Sequence, residues 1–292
     1  GKKEGFVDWM EITRIDGRDD NVGLYRAYID PVKIFAERLK PHAHGVIMTS
    51  ATLRDVSEDD PSGWQSAVGR TGARIFDSEG QATTLFAMAS PFDYAAQTRI
   101  LVVSDVDKKN PDAVAAAYRV LFKAAGGGAL GLFTSIQRLA ETHKRLTHPL
   151  EDEHIPLYAQ HTDPLDTGTL IDIFRAEEKA CLLGTDATRD GIDVPGRSLH
   201  LVVYDRVPWP RPTLLHKARR QAFGKGYDDM LTRFKLKQAY GRLIRRAGDK
   251  GVFIMLDGAL PSRLTSAFPP GVTVERVGLK EAVEITKGFL AT

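Results

Sequence analysis

Three side chains near the C-terminus have the types and spacing to grip a polyanion. Gln238, Arg242 and Arg245 are four and three residues apart, and Arg246 follows directly. On a helix such a spacing puts them on one face. Two guanidiniums and an amide there can hold phosphate oxygens through paired, charge-assisted bonds. Gly241 lets a ligand or a neighbouring backbone come close. An ordinary basic amphipathic helix would use the same residues, but acidic partners four residues away are nearly absent.

A second polar cluster runs from Gly184 to Gly196, with Thr185, Asp186, Thr188, Asp190, Gly191 and Asp193 in it. It follows the apolar run Ala180–Gly184. Ligands of open α/β sheets gather at the C-terminal ends of strands. A loop of this composition can hold a metal-linked water, a ribose hydroxyl or a phosphodiester backbone. Thr49, Ser50 and Thr52 follow another apolar run, and Thr134 and Ser135 a third. Such hydroxyls either cap a helix or bond a phosphate.

Other chemistries lack their residues. The glycine-rich stretch Gly126–Gly128 has neither the lysine nor the hydroxyl of a phosphate loop. The histidines form no H-E-x-x-H pattern, and there is no G-x-S-x-G elbow. Cys181 is the only cysteine, so the chain can build neither an internal disulfide nor a four-cysteine zinc or iron–sulfur site. No metal site is expected.

The elements that must position these residues read as alternating strands and helices. Strand-like apolar runs lie at Gly45–Thr49, Arg99–Val103, Gly128–Thr134, Ala180–Gly184, Leu199–Tyr204 and Gly251–Leu256. Helical patterns lie at Pro31–Leu39, Pro111–Ala125, Ser135–Leu146, Thr167–Arg175 and Tyr227–Arg246. Pro111 suits a first helical turn and Gly126 a helix stop. Strands that are apolar throughout have both faces covered, which predicts a parallel sheet between helix layers from about residue 98 onward.

Composition agrees with a folded enzyme or binding domain. The 292 residues are 42% hydrophobic, enough for a sizeable core. No apolar run is long enough to span a membrane, and the lone cysteine points to the reducing cytoplasm. The net charge of +2 hides an imbalance, since Arg211–Arg246 carries eleven Lys and Arg against two Asp. Basic residues alone are weak evidence for nucleic acid. Gly1 in place of Met fits a piece of a longer protein.

Taken in order, these motifs resemble the second motor domain of superfamily-2 DNA helicases of the DinG/XPD-like group. Val46–Leu53 is similar to motif III, Leu130–Ser135 to motif IV, Asp190–Gly196 to motif V and Gln238–Arg245 to motif VI. Ser90-Pro91-Phe92-Asp93-Tyr94 is also typical of the group. The resemblance covers about residues 20–260. It departs from the group at Arg189-Asp190, where an aromatic–Glu pair is usual.

The resemblance implies an α/β, RecA-like, mostly parallel sheet covered by helices on both faces. It implies a lead-in over residues 1–44, packed on a motor domain over 45–292. ATP with Mg²⁺ would lie between this domain and a missing N-terminal motor domain that carries the phosphate loop. Arg242 and Arg245 would act as arginine fingers, with Gln238 positioning phosphate or water. Asp190, Gly191, Asp193 and Gly241 would bind ATP and couple its site to DNA. Thr49, Ser50, Thr52, Thr134, Ser135 and Thr185 would touch the backbone of single-stranded DNA. The chain alone would not hydrolyse ATP, and any iron–sulfur insertion would lie upstream of it. The alternative is a stand-alone nucleic-acid-binding module that keeps the fold without catalysis.

Overall fold

The computed structural model describes residues 5–78, 80–186, 188 and 193–291. In chain order its elements begin with β1 (Phe6–Ile15), β2 (Arg18–Tyr28), α1 (Val32–Leu39), α2 (Trp64–Thr71) and the single turn α3 (Tyr94–Gln97). They continue with β3 (Thr98–Val103), α4 (Pro111–Ala125), β4 (Ala129–Leu132), α5 (Ile136–Glu151), β5 (Leu157–Ala159) and α6 (Thr167–Ala176). The last are β6 (Cys181–Gly184), β7 (Leu201–Tyr204), α7 (Leu214–Phe223), α8 (Gly226–Tyr240), β8 (Gly251–Met255), β9 (Val274–Val277) and α9 (Leu279–Leu290).

The chain divides into two compact units, Gly1–Met88 with Trp209–Thr232, and Ala89–Pro208 with Arg233–Thr292. The boundary expected at residue 44 falls inside the first unit.

The second unit is built on a seven-stranded sheet of order β5-β6-β4-β7-β8-β3-β9. Every pairing in it is parallel. Alternation along each strand sends side chains to two cores. Ile100, Val102, Leu130 and Phe253 meet α6 and the end of α8 on one face. Leu101, Val103, Val203 and Ile254 meet α4, α5 and α9 on the other. This is the expected α/β sheet with helices on both faces. The start of α4 follows from its cap, since Asn110 Oδ1 accepts from the Asp112 and Ala113 amides. Its end follows from Gly126, which has φ +73°.

Two helix limits differ from the sequence expectation. α5 runs on to Glu151 instead of stopping at Leu146. α8 ends at Tyr240, six residues before Arg246. Gly241 is a poor helix former, and the chain beyond it is held in a different shape. The Asp249 carboxylate accepts from the backbone N–H of Arg245 (2.8 Å) and Arg246 (2.7 Å). The Gln97 amide donates to the carbonyls of Ala247 (3.0 Å) and Asp249 (2.9 Å).

The first unit has a different character. β1 and β2 pair antiparallel as a long two-stranded ribbon. Asp16 (φ +50°) and Gly17 (φ +78°) form its turn, the left-handed pair that a two-residue hairpin loop requires. The strand expected at Gly45–Thr49 is not formed, because this segment finds no ladder partner among the described residues. Ile47 in its middle is 94% exposed.

Candidate nucleotide and nucleic-acid site

In the sheet unit the strands deliver four of the predicted polar residues to one edge. Thr134 and Ser135 follow β4, Thr185 follows β6, and the segment around Asp193 lies between β6 and β7. Arg245 reaches the same region from beyond α8. Its Nε lies 3.5 Å from Asp193 Oδ1. Lys235, on α8, makes a second link, with Nζ 3.0 Å from Asp186 Oδ2. Arg245 thus pairs with Asp193, and Lys235, just before the Gln238–Arg245 segment, with Asp186. Arg175 adds a hydrogen bond from Nε to the Asp193 carbonyl (3.1 Å). Asp190 and Gly191 lie outside the described residues.

Gln238 and Arg242 are half-buried, Gln238 on the last turn of α8 and Arg242 in the turn after it. Because α8 stops at Tyr240, Arg242 and Arg245 do not share a helical face with Gln238 as the spacing implied. The turn carries them instead. Gly241 donates its N–H to the Lys237 carbonyl (2.9 Å), and Arg242 donates to Ala239 (3.2 Å). Below this turn the Tyr240 hydroxyl bonds Thr98 Oγ1 at 2.8 Å, which in turn donates to the Tyr94 carbonyl. Burial pushes the Tyr240 hydroxyl up to about 12 despite the Thr98 bond. Tyr94 also packs against Tyr240 and Phe92, so the Ser90–Tyr94 segment supports the arginine turn.

Ser135 has a local role as the N-cap of α5, accepting from the Arg138 amide at 3.2 Å. Thr134 is held through its backbone, whose N–H donates to Asp205 Oδ1 (3.1 Å). Thr49, Ser50 and Thr52 belong to the first unit. There Ser50 Oγ and Thr52 Oγ1 bond each other at 3.2 Å.

Several residues that organise this edge went unnoticed in the sequence. Asp205, directly after β7, is fully buried and accepts from Arg138 Nε at 2.6 Å. Burial raises its carboxyl pKa, and Arg138 pulls it partly back. The Arg138 and Arg206 guanidiniums both donate to the Lys108 carbonyl (3.1 and 2.9 Å). Lys108 Nζ meets Asp257 Oδ1 at 2.5 Å. Burial works to raise the Asp257 carboxyl as well. The Lys108 bond and the N–H groups of Ala259 and Val207 outweigh it and leave it below the usual range. This network ties together the loops after β3, β4, β7 and β8. Asp205 stands directly after an apolar run, the same signal that singled out Thr134.

A sequence model described as "Helicase C-terminal domain" matches residues 118–272, from within α4 past β8. The chain belongs to the helicase C-terminal domain family. Its relatives include the Bacillus subtilis protein named 3'-5' exonuclease DinG, 29% identical over 88% of this chain and 28% of its own length. The Mycobacterium tuberculosis ATP-dependent helicase DinG is 32% identical over 63% of this chain and 30% of its own length. The Escherichia coli ATP-dependent DNA helicase YoaA is 30% identical over 89% of this chain and 39% of its own length. The chain therefore spans between 28% and 39% of these relatives.

This helicase C-terminal domain is of the DinG-like kind, and its family match takes in β4 to β8 of the seven-stranded parallel sheet. The family match covers the segments of β4, β6 and α8 that carry Thr134, Thr185 and Gln238. It does not reach Thr49, Ser50 or Thr52. No helix of the described residues is long and apolar enough to cross a membrane.

Proposed function

We propose that the chain is the second motor half of an ATP-dependent DNA helicase that works on single-stranded DNA in the cytoplasm. In this reading Arg242 and Arg245 are arginine fingers for an ATP bound by an N-terminal motor domain. Gln238 helps to place the phosphate or water, and Asp190, Gly191, Asp193 and Gly241 link that site to DNA. Thr49, Ser50, Thr52, Thr134, Ser135 and Thr185 contact the DNA backbone. The observation that carries the proposal is the meeting of Arg245 with Asp193 and of Lys235 with Asp186. Two segments distant in sequence supply one cationic and acidic surface beside β6. A phosphate arriving there would draw Arg245 away from Asp193, so nucleotide binding and the aspartate-rich loop would move together.

Among the described residues no group of three His, Cys, Asp or Glu converges. ATP would bring Mg²⁺ with it to the shared site.

The N-terminal domain would also cover apolar surface of the first unit. Ile47, Phe86 and Met88 are 94%, 75% and 80% exposed on segments that line or adjoin a groove of about 680 Å³. Exposed apolar surface of this kind marks an interface.

The decisive measurement is DNA-stimulated ATP hydrolysis by the full-length helicase. Arg245→Ala should lower it by ~10³–10⁵, the usual worth of an arginine finger. An unchanged rate removes the finger assignment. The chain alone should bind oligothymidylate with an affinity that falls as salt rises, as backbone contacts require.

A further inference from the structure

We infer that Gln160 is a positioning residue that shapes the loop after β6 and leaves the Thr185 hydroxyl as a donor for a phosphate oxygen. The inference rests on the proposed contact between Thr185 and the DNA backbone, and it adds a residue to that site.

Gln160 directly follows β5 and is 4% exposed. Its backbone N–H donates to the Leu183 carbonyl at 2.9 Å, so its position is fixed by the pairing of β5 with β6. Its side-chain oxygen accepts three bonds, from Thr185 N (3.0 Å), Thr185 Oγ1 (2.9 Å) and Thr188 Oγ1 (2.7 Å). Its amide nitrogen donates to Thr167 Oγ1 at 3.1 Å, at the start of α6. The reverse orientation of the amide would set its NH₂ against the Thr185 N–H, donor against donor. The network therefore fixes which atom faces the loop. Space is equally tight, since a Cβ at Gly184 would collide with the Thr188 side chain.

An amide oxygen has two lone pairs, so three donors exceed its capacity. The Thr185 N–H and the Thr188 hydroxyl alone satisfy it. The Thr185 hydroxyl is the surplus donor, and it lies at the half-exposed rim of the site beside His161, whose Nε2 is 3.4 Å away. It can turn to an incoming phosphate oxygen without leaving a buried acceptor unsatisfied. Gln160 thus holds the loop by two bonds and lends the third, while Asp186 one residue on remains paired with Lys235.

The test uses the chain as it is, with oligothymidylate binding read by fluorescence anisotropy and amide exchange read by mass spectrometry. Gln160→Leu should bind about tenfold more weakly, the equivalent of one lost hydrogen bond. Its exchange should quicken only at Thr185–Thr188, with β4 and β8 as protected as before. Gln160→Glu keeps an acceptor and should restore the protection. Thr185→Val should lose affinity with no faster exchange at Thr188. Should Gln160→Leu fold poorly, Thr188→Val removes one donor at nearly constant shape and should loosen the same segment. Wild-type binding and exchange in Gln160→Leu would overturn the inference, as would loss of protection that extends into β4 and β8. If the unaltered chain fails to bind oligothymidylate, the DNA reading falls. The exchange data then decide by themselves whether Gln160 holds the loop.

Discussion

The two units of this helicase C-terminal domain draw on similar apolar sequence and bury it very differently. In the sheet unit every strand sends side chains into one of two cores, and its largest fully buried residues include Tyr118, Phe122, Phe174 and Phe253. In the other unit the buried apolar side chains among the described residues are Ala36 and Ala67. Met10, Leu24, Ile47, Phe86 and Met88 there are all more than half exposed. A two-stranded ribbon and short helices cannot enclose a core by themselves. The difference teaches that apolar sequence marks where surface is to be covered, without saying that the same chain supplies the cover.

The largest test of this contrast is large-to-small substitution in both units. Phe253 is fully buried and packs against Tyr204 and Phe268. Phe253→Ala should cost ~3–5 kcal/mol in urea unfolding, from lost transfer energy and the cavity left behind. Phe86→Ala, at a side chain 75% exposed, should cost almost nothing. A comparable loss at Phe86 would break the comparison, because it would require a core that encloses Phe86.

Ion pairs sharpen the same contrast. Arg138 meets Asp205 where the carboxylate has no exposure, whereas both partners of Arg14–Asp19 on the ribbon are more than half exposed. Removing one member of a buried pair strands the other charge. Arg138→Met should therefore cost ~3–5 kcal/mol, and adding Asp205→Asn should recover much of it. Arg14→Ala should cost ~1 kcal/mol or less. Equal losses at the two sites would show that burial does not set the scale here.

How far the sequence could be read follows the same division. β3, β4, β6, β7 and β8 were legible because each is an apolar run buried on both faces, broken only by Thr98 and Arg99 at the start of β3. α4 was legible to the residue from Pro111 and Gly126, and its Asn110 cap emerged only in the folded chain. β5 has three residues and β9 carries Glu275 and Arg276, so neither stands out from its surroundings. Gly45–Thr49 has the composition of a strand, but strand formation needs a neighbour, which the described residues do not provide. The hairpin was missed although Asp16-Gly17 is a strong turn signal, because its flanking residues do not alternate cleanly between apolar and polar. In the candidate site, Thr134 and Thr185 were found just after apolar runs, while Asp205, just after another, was overlooked. Gln160 was also missed, because the three-residue β5 before it does not stand out. The arginines were found on chemistry alone, and the turn that carries them depends on Gln97 and Asp249, whose roles only the folded chain reveals.

The smallest effect lies within the sheet unit, where two half-similar carboxylates should respond to pH with opposite sign. Asp257 is held below its ordinary range, so in the unfolded chain it binds protons more readily than in the folded one. Its stabilising share is present above its unfolded pKa of 3.8 and is lost as pH falls through the lower folded value. Asp205 is raised by burial, so the folded chain is the one that binds the proton more readily. Its share is complete below 3.8 and is lost as pH rises through the higher folded value. Unfolding free energies measured from pH 3 to 6 should therefore separate the variants by slope. Asp257→Asn should lessen the loss of stability on the acid side. Asp205→Asn should lessen the loss of stability as pH rises above 3.8. Slopes that change in the same direction would mean that Arg138 outweighs burial at Asp205, and that the two carboxylates sit in electrostatically equivalent surroundings.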